Sequence, residues 1–223
     1  MLMWKLSTVV YIILGATSII FLMSLLAQKF RRCKGPTLDA IERDADVYTA
    51  IVELRALADS DRAFLMRFHN GEEFTPSDDI WKLTCTHEVV RPGVTYEASK
   101  THGIVFSKMA RLVAPLLTGA ANSTGVEFVR DCGDCPFKDS CKRKGRFMIL
   151  VDVESLPMSY DRNLLEEQNV KTAFYCGLTK GGGVFGIIGI HYAVKVPPED
   201  YPQIVERFCK SSGVIQHLIC KSN

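Results

Sequence analysis

Apolar residues dominate the N-terminal part of the chain. No charged residue occurs between Leu6 and Ala27. A helix needs about 20 residues to cross a bilayer core of about 30 Å, so this run predicts a single transmembrane helix and an anchor over residues 1–28. A cleaved signal peptide is the alternative, but its apolar region is usually only about 7–15 residues long and ends in a small-residue cleavage site. No such site is obvious here, so an uncleaved anchor is favoured.

Basic residues flank this run unequally. Lys5 precedes it, whereas the linker over residues 29–36 is rich in basic side chains. These are Lys29, Arg31, Arg32 and Lys34. Because lysine and arginine are retained on the cytoplasmic side of a membrane, the pattern predicts a single-pass protein of the inner (cell) membrane with its C-terminal domain in the cytoplasm. The lipid bilayer is therefore the first expected partner.

Residues 37–223 carry the periodicity of a folded domain, beginning with a helix. Thr37 is a suitable N-cap, and apolar residues then recur at spacings of three and four, along one stripe of the helix. The stripe consists of Leu38, Ile41, Ala45, Tyr48 and Val52. We expect a packed amphipathic helix. A dimerising helix is the second interpretation, because a coiled coil needs a longer run of about three or four heptads.

Two segments then alternate between apolar and polar residues, as strands do. The first runs from Ala63 to Phe68 and is followed by the turn sequence His69-Asn70-Gly71. In the second, Trp81, Leu83, Cys85 and Val89 are expected to face the core, and Lys82, Thr84, Thr86 and Glu88 to face outward.

Helices and strands continue to alternate along the C-terminal half. A helix is expected over Val105–Leu116, and the continuous apolar run Phe147–Val151 is typical of a strand inside a sheet. A short helix around Asp161–Gln168 precedes two strands that flank the glycines of a hairpin turn. The strands are Thr172–Leu178 and Val184–Val194, and a terminal amphipathic helix over Ile204–Leu218 follows Pro197 and Pro198. The order predicts an α+β domain with an antiparallel sheet and helices flanking it on one side.

Composition and charge narrow the classes of function. Hydrophobic residues make up 47% of the chain and charged residues 23%, which is enough to bury a core without disulfide staples. Lysine and arginine exceed aspartate and glutamate only by 27 to 25, too even a balance for a protein that neutralises a polyphosphate. The basic run over residues 138–146 lacks the interleaved aromatic residues of single-strand binding and is interpreted as a solvated loop. No nucleic-acid partner is predicted.

Three C-terminal segments resemble the GAF family of sensor domains, relatives of PAS domains. They are residues 164–170 (LLEEQNV), residues 174–178 (FYCGL) and residues 183–190 (GVFGIIGI), followed by the closing helix. The resemblance covers roughly residues 40–220. It implies a regulatory domain that binds a small molecule or serves as a homodimerisation or protein-binding module. The plan of an anchor plus one domain also looks somewhat like phage-encoded membrane proteins of the T4-type holin plan, whose soluble domain is PAS-like.

A cysteine-rich loop is the sharpest local signal for chemistry. The spacing of Cys132, Cys135 and Cys141 allows three thiolates to bind one ion, and Cys176 is the predicted fourth ligand, with Cys85 or His87 as alternatives. Zinc is favoured over an iron-sulfur cluster, which uses similar spacings. The eight cysteines of the chain would be reduced in the cytoplasm, and unbound or oxidisable thiols are the remaining interpretation.

Polar residues near the end of the first strand are candidates for lining a sensor pocket. The predicted ligand-binding residues are Arg67, His69, Asn70, Thr84, Thr86 and Tyr175. The alternative is a plain turn, because Asn-Gly is a common turn dipeptide. His191 alternates with apolar neighbours in the hairpin and is interpreted as structural.

The sequence gives little support to catalysis. It contains no G-x-S-x-G, G-x4-G-K-[ST] or H-E-x-x-H motif. The leading hypothesis is therefore a non-enzymatic, membrane-tethered cytoplasmic GAF-like sensory or protein-binding module with a metal-stabilised loop. A phage lysis or membrane-remodelling protein is the second hypothesis. The third is an enzyme that uses Cys176 or a metal-bound water, which would require an open coordination position and a cleft.

Overall fold

The computed structural model describes residues 17–24, 37–75, 78–119, 124–129, 147–181 and 183–220. The chain divides into two compact units, Met1–Glu42 and Arg43–Asn223. In the first unit, residues 17–24 are helical, and the rest of the predicted anchor lies outside the described residues. No helix within the described ranges combines the length and the apolar character that crossing a membrane requires.

The second unit is built on a seven-stranded sheet in which all neighbouring strands are antiparallel. Its strand order is β3-β2-β1-β7-β6-β5-β4. The strands are β1 (Arg62–Thr75), β2 (Asp78–Val90), β3 (Ile104–Val105), β4 (Val126–Phe128), β5 (Met148–Asp152), β6 (Thr172–Lys180) and β7 (Gly183–Tyr192). Strands β1, β7 and β6 form the middle of the sheet, so side chains that project from them can be buried on both faces.

Helices cover both faces of the sheet, whereas helices on one side were predicted. They are α1 (Leu38–Leu57), α2 (Ala110–Thr118), α3 (Tyr160–Glu167) and α4 (Tyr201–Cys220), with short 3-10 turns at Phe106–Met109, Val153–Ser155 and Pro198–Asp200. One core lies between the sheet and helices α1 and α4, with Ile51, Leu54 and Phe208 fully buried. The other lies between the sheet and helices α2 and α3, around Leu112, Leu116 and Leu165. The fold is therefore an α+β arrangement of helix, sheet and helix layers.

Local sequence signals predicted several elements correctly. The hairpin of β6 and β7 forms around residues 181–183. The Thr37 hydroxyl accepts a hydrogen bond from the amide of Ala40 at 3.3 Å, as an N-cap does. Helix α2 ends at Gly119, which has a φ of 71° and donates its amide hydrogen to the carbonyl oxygen of Pro115. Pro115 itself lies inside this helix, about one turn before its end.

Strand β1 corrects the turn that was predicted at His69-Asn70-Gly71. The strand continues through these residues to Thr75 and pairs with β2 along its length. The Asn-Gly dipeptide is therefore absorbed into a long strand, with a register shift between Asn70 and Glu73. A turn dipeptide is only a local preference, and pairing with β2 overrides it here.

Strand β2 corrects the predicted alternation of inward and outward residues. Leu65 pairs with His87, and Met66 pairs with Cys85, so Thr86 is the extra residue of a β-bulge. Beyond a bulge the two faces exchange, because side chains alternate with a period of two. Glu88 is consequently buried, although an outward position was predicted, and Trp81 at the other end of the strand is 46% exposed.

Helix α1 also differs from its predicted orientation. Its buried residues are Val47, Ala50, Ile51 and Leu54. The stripe that was expected to pack is exposed instead. Leu38 is 69% exposed, Ile41 54%, Tyr48 45% and Val52 39%. The helix has two apolar stripes at helical spacing, and the sheet covers the stripe formed by Val47, Ala50, Ile51 and Leu54.

Candidate ligand-binding site

A buried polar cluster lies at the start of β1, on the face of the sheet that packs against α3. Arg62 is directly opposite His191 of β7 in the strand register. Phe64, two residues further along β1, packs against His191 with ring centroids 4.6 Å apart. Opposite Phe64 lies Gly189, where a Cβ atom would overlap the Phe64 ring. Because glycine has no side chain, Gly189 leaves room for the Phe64 ring beside Arg62 and His191.

The β-bulge in β2 brings a carboxylate to this cluster. Glu88 and Arg62 form an ion pair with Nε and Oε1 2.7 Å apart, and their side chains are 3% and 4% exposed. The Glu88 carboxylate also accepts hydrogen bonds from the amides of Glu97 at 2.8 Å and Ala98 at 2.6 Å. One side chain thus neutralises the buried guanidinium and holds the loop that follows β2.

The remaining donors of Arg62 point to three different elements. Nη2 donates to the carbonyl oxygen of Thr95 at 2.9 Å. Nη1 lies 3.4 Å from Oε1 of Gln168 and 3.5 Å from Nδ1 of His191. The guanidinium therefore joins the loop after β2, the end of helix α3 and strand β7 around one buried charge.

His191 and Tyr175 extend the cluster across the sheet. Nε2 of His191 and the Tyr175 hydroxyl are 2.9 Å apart. Burial, with a further contribution from Arg62, lowers the pKa of His191 well below its usual value, so the imidazole is neutral. Burial also raises the pKa of Tyr175, which therefore keeps its proton. The cluster is a chain of hydrogen-bonding groups in which Arg62 and Glu88 carry the charges.

Two cavities open beside these residues. The inner cavity has a volume of about 20 Å³ and is lined by Phe64, Met66 and Tyr175 together with residues of the polar cluster. The outer cavity has a volume of about 200 Å³ and lies against the loop after β2 and the turn after α3. Arg62, Glu97, Gln168 and His191 line both of them. The polar cluster therefore forms the boundary between an outer cleft and a small inner recess.

Asp161 is a second buried acid near this region. It is 2% exposed and lies in the first turn of α3, whose N-cap Ser159 accepts a hydrogen bond from the amide of Arg162 at 3.3 Å. Burial raises the pKa of Asp161 to about 6, and Arg111 partly opposes the shift. Asp161 in turn contributes to the raised pKa of Tyr175. A carboxyl group that stays protonated in mildly acidic solution therefore lies close to Tyr175.

The structure separates most of the predicted ligand-binding residues from this cluster. Only Tyr175 of that set lines a described cavity. His69 and Thr84 form an exposed hydrogen bond of 2.8 Å with each other, and Thr86 at the bulge donates to the carbonyl oxygen of Leu65 at 3.3 Å. Arg67 is half-buried and pairs with Thr84 in the strand register. The side chain of Asn70 lies outside the described residues.

Sequence reasoning missed Arg62, Glu88, Gln168 and Asp161 as site residues, and assigned His191 only a structural role. A charged residue at the edge of an apolar strand was the available signal for Arg62. Glu88 gave the opposite signal, because strict alternation placed it outside. No periodicity connects Gln168 with Arg62, since the two are 106 residues apart in the chain.

The structure describes only some of the predicted metal ligands. Cys132, Cys135 and Cys141 lie outside the described residues. Cys176 is 2% exposed and belongs to the core beneath α1 and α4. Of the two alternative ligands, His87 lies 3.1 Å from Asp44 of α1, measured from Nε2 to Oδ1. Within the described ranges, no group of three or more histidine, cysteine, aspartate or glutamate residues is arranged to hold a metal ion.

Solved structures similar to this chain are GAF domains. The blue-light absorbing form of the Thermosynechococcus elongatus PixJ GAF domain is 16% identical with a TM-score of 0.46, and the match covers 84% of this chain and 93% of that one. The phycocyanobilin-bound GAF domain of a cyanobacterial phytochrome is 12% identical with a TM-score of 0.47, covering 90% and 94%.

A phycoerythrobilin-bound GAF domain from a cyanobacterial phytochrome is 13% identical with a TM-score of 0.47, and the match covers 82% of this chain and 89% of that one. No protein-family model matches the chain, and no curated protein matches it.

Removing one charge of the buried Arg62–Glu88 pair should lower the free energy of unfolding, because the other charge is left buried and unpaired. We expect Glu88→Gln to lower the free energy of unfolding by about 3–5 kcal/mol, because it leaves the Arg62 guanidinium buried without a counter-ion. The double variant Arg62→Met, Glu88→Leu should lose less than the sum of the losses in Arg62→Met and Glu88→Leu, because it leaves no buried charge unpaired. Urea denaturation measures both. The control is Glu206→Gln in the exposed pair with Lys210, expected to cost under about 1 kcal/mol. Additive losses in the double variant would contradict the pairing.

Asp161 should make stability depend on pH. Its folded pKa of about 6 lies above the unfolded value, so the folded chain binds more protons and stability falls as the pH rises from about 4 to about 6. Asp161→Asn should match the original protein at pH 4 and exceed it by about 2 kcal/mol at pH 7.5. Urea denaturation at the two pH values measures this, with exposed Asp200→Asn as control. An equal effect at both pH values would contradict the assignment.

Proposed function

We propose that residues 37–223 form a GAF-like sensory or regulatory module that binds a small molecule in the cleft beside Arg62. The observation that carries the proposal is the buried chain of polar groups from Glu88 through Arg62 and His191 to Tyr175, which borders two neighbouring cavities. Burying polar groups costs free energy unless they are paired, so a purely structural core would favour apolar residues here. Polar groups converging on a largely apolar cavity are typical of ligand sites.

The chemistry of the lining supports binding without catalysis. Burial, with a smaller contribution from Glu88, raises the pKa of the Cys85 thiol in the inner cavity to about 12. A thiol in that state is a poor nucleophile, because the thiolate is the reactive form. The low pKa of His191 likewise keeps it neutral, although its role as a hydrogen-bonding group is unaffected. These properties suit recognition of a ligand better than proton transfer.

Membrane attachment and the metal belong to the same proposal. The apolar run over residues 1–28 would tether the module to the inner membrane, with the domain in the cytoplasm. The loop containing Cys132, Cys135 and Cys141 would hold zinc, or an iron-sulfur cluster, as a structural element. Support for both comes from the sequence pattern. Neither is needed for the cleft to bind its ligand.

The cleft is tested by blocking it. A compound present at about 100 times its Kd should raise the free energy of unfolding of the full-length protein by about 2.7 kcal/mol, and Tm by about 5–10 °C for a domain of this size. Val94 lines the outer cavity, so Val94→Trp should abolish the shift. Tyr96→Trp places the same ring at an exposed site in the same loop and serves as control.

A thermal-shift screen of a chemically diverse collection provides the measurement. The proposal is overturned if no compound stabilises the protein, or if the hits stabilise Val94→Trp as strongly as the control variant.

The exposed stripe of α1 favours the predicted homodimer as a second activity of the module. Ala45, Tyr48 and Val52 are exposed at spacings of three and four, with Leu38 and Ile41 continuing the pattern. Isolated exposed apolar residues are normal, whereas a row of them at this spacing is the pattern with which helices associate. We infer that two copies of the chain associate through this stripe.

Charge on the stripe should separate the two copies. We expect Tyr48→Glu to shift the full-length protein in detergent from dimer to monomer, because two carboxylates would be buried opposite each other. Sedimentation velocity measures the mass. Asp46→Lys changes an exposed residue of the same helix that lies off the stripe and should leave the dimer intact. A monomeric unmodified protein, or a dimeric Tyr48→Glu variant, would refute the interface.

A further inference from the structure

The side-chain amide of Gln168 is buried in the cleft and only partly paired. Gln168 is 9% exposed and lines both cavities. Its Oε1 faces Nη1 of Arg62, which can only donate, so the amide orientation is determined. Its Nε2 is buried and has no hydrogen-bond partner among the described residues. A buried donor without an acceptor destabilises the folded state, so we expect a group other than the described residues to supply an acceptor here.

Tyr175 supplies a second donor at the inner recess. Arg62 faces Nδ1 of His191, so the neutral imidazole is assigned its hydrogen on Nε2. That hydrogen is donated to the Tyr175 hydroxyl oxygen. The hydroxyl hydrogen of Tyr175 is then left without an acceptor among the described residues. Two donors from different elements thus border the same inner cavity.

The charges around the cavities are already paired. Arg62 is the one cation among the described residues that line them, and it is occupied by Glu88 and Thr95. Glu97 pairs with Lys100 at 2.7 Å, and Asp61 with Arg91 at 3.5 Å. Glu167 lies at the exposed mouth of the outer cavity. An anion would therefore meet carboxylates and no unpaired cation, and a cation would find no unpaired carboxylate inside.

We propose that the cleft binds a small uncharged molecule that places a carbonyl oxygen or an unprotonated ring nitrogen between the Gln168 amide and the Tyr175 hydroxyl. This inference rests on the proposed function and specifies the chemistry of its ligand. The outer cavity of about 200 Å³ is smaller than the roughly 300–1,000 Å³ of sites for drug-sized ligands. The ligand is therefore of the size of a lactam, an aromatic amide or a nucleobase, and carries no phosphate or carboxylate.

The experiment uses three sets of probes on the full-length protein in detergent, labelled with ¹⁵N in the glutamine side chains. The uncharged probes are uracil, nicotinamide and 2-pyrrolidinone. The anionic probes are benzoate and adenosine 3′,5′-cyclic monophosphate, and the cationic probe is benzylamine. Gln168→Leu identifies the Gln168 amide signals by their loss. Gln203→Leu, at an exposed position of α4, is the matched control.

We expect at least one uncharged probe to shift the Gln168 signals in a saturable manner. Isothermal titration should show that Gln168→Leu weakens this probe at least ten-fold, that Tyr175→Phe weakens it by a smaller factor, and that Gln203→Leu leaves its Kd unchanged. Charged probes should produce no saturable shift at this site.

The outcomes separate the two levels of the proposal. If a charged probe binds at Gln168 more tightly than every uncharged probe, the chemical class is wrong while the cleft remains a ligand site. Unchanged affinity in Gln168→Leu also overturns the class. If no probe of any charge shifts the Gln168 signals, and the thermal-shift screen finds no compound sensitive to Val94→Trp, the cleft itself is not a binding site.

Discussion

The ion pair between Arg62 and Glu88 is the constraint on which the arrangement of the cleft depends. Each side chain is almost completely buried, and an unpaired charge in that position would cost several kcal/mol. The pair is therefore compatible only with a register in which Thr86 is the extra residue of a bulge, because strict alternation would place Glu88 on the other face. It also sets the tautomer of His191, since the guanidinium beside Nδ1 can only donate. Strand geometry and site chemistry thus have a common origin.

Much of the fold follows from signals within a few residues of each other. The Thr37 cap, the glycine-rich turn between β6 and β7 and the apolar run of β5 each depend on local chemistry, and each was predicted. The site is different, because a single extra residue at Thr86 exchanges the two faces of a strand. Alternation alone then assigns Glu88 to solvent. The contact between Arg62 and Gln168 spans 106 residues, and no pattern along the chain encodes it.

Helix α1 shows a related limit. Periodicity identifies apolar stripes but does not say which stripe the sheet will cover, because both Val47-Ala50-Ile51-Leu54 and Leu38-Ile41-Ala45-Tyr48-Val52 have helical spacing. The covered stripe is the one that continues into buried Ala58 beyond the helix end. Packing against the sheet decides between them, and this information is tertiary. The exposed stripe is then explained by association with a second copy of the chain and not by packing in the core.

Glu88 links the buried interior of the domain to the loop after β2. The same carboxylate that neutralises Arg62 also accepts the amides of Glu97 and Ala98. A molecule that shifts the Arg62 guanidinium must also act on the loop that contains Glu97 and Ala98, because the same carboxylate binds both. The fold therefore couples the buried guanidinium to the backbone of the loop after β2 through a single carboxylate.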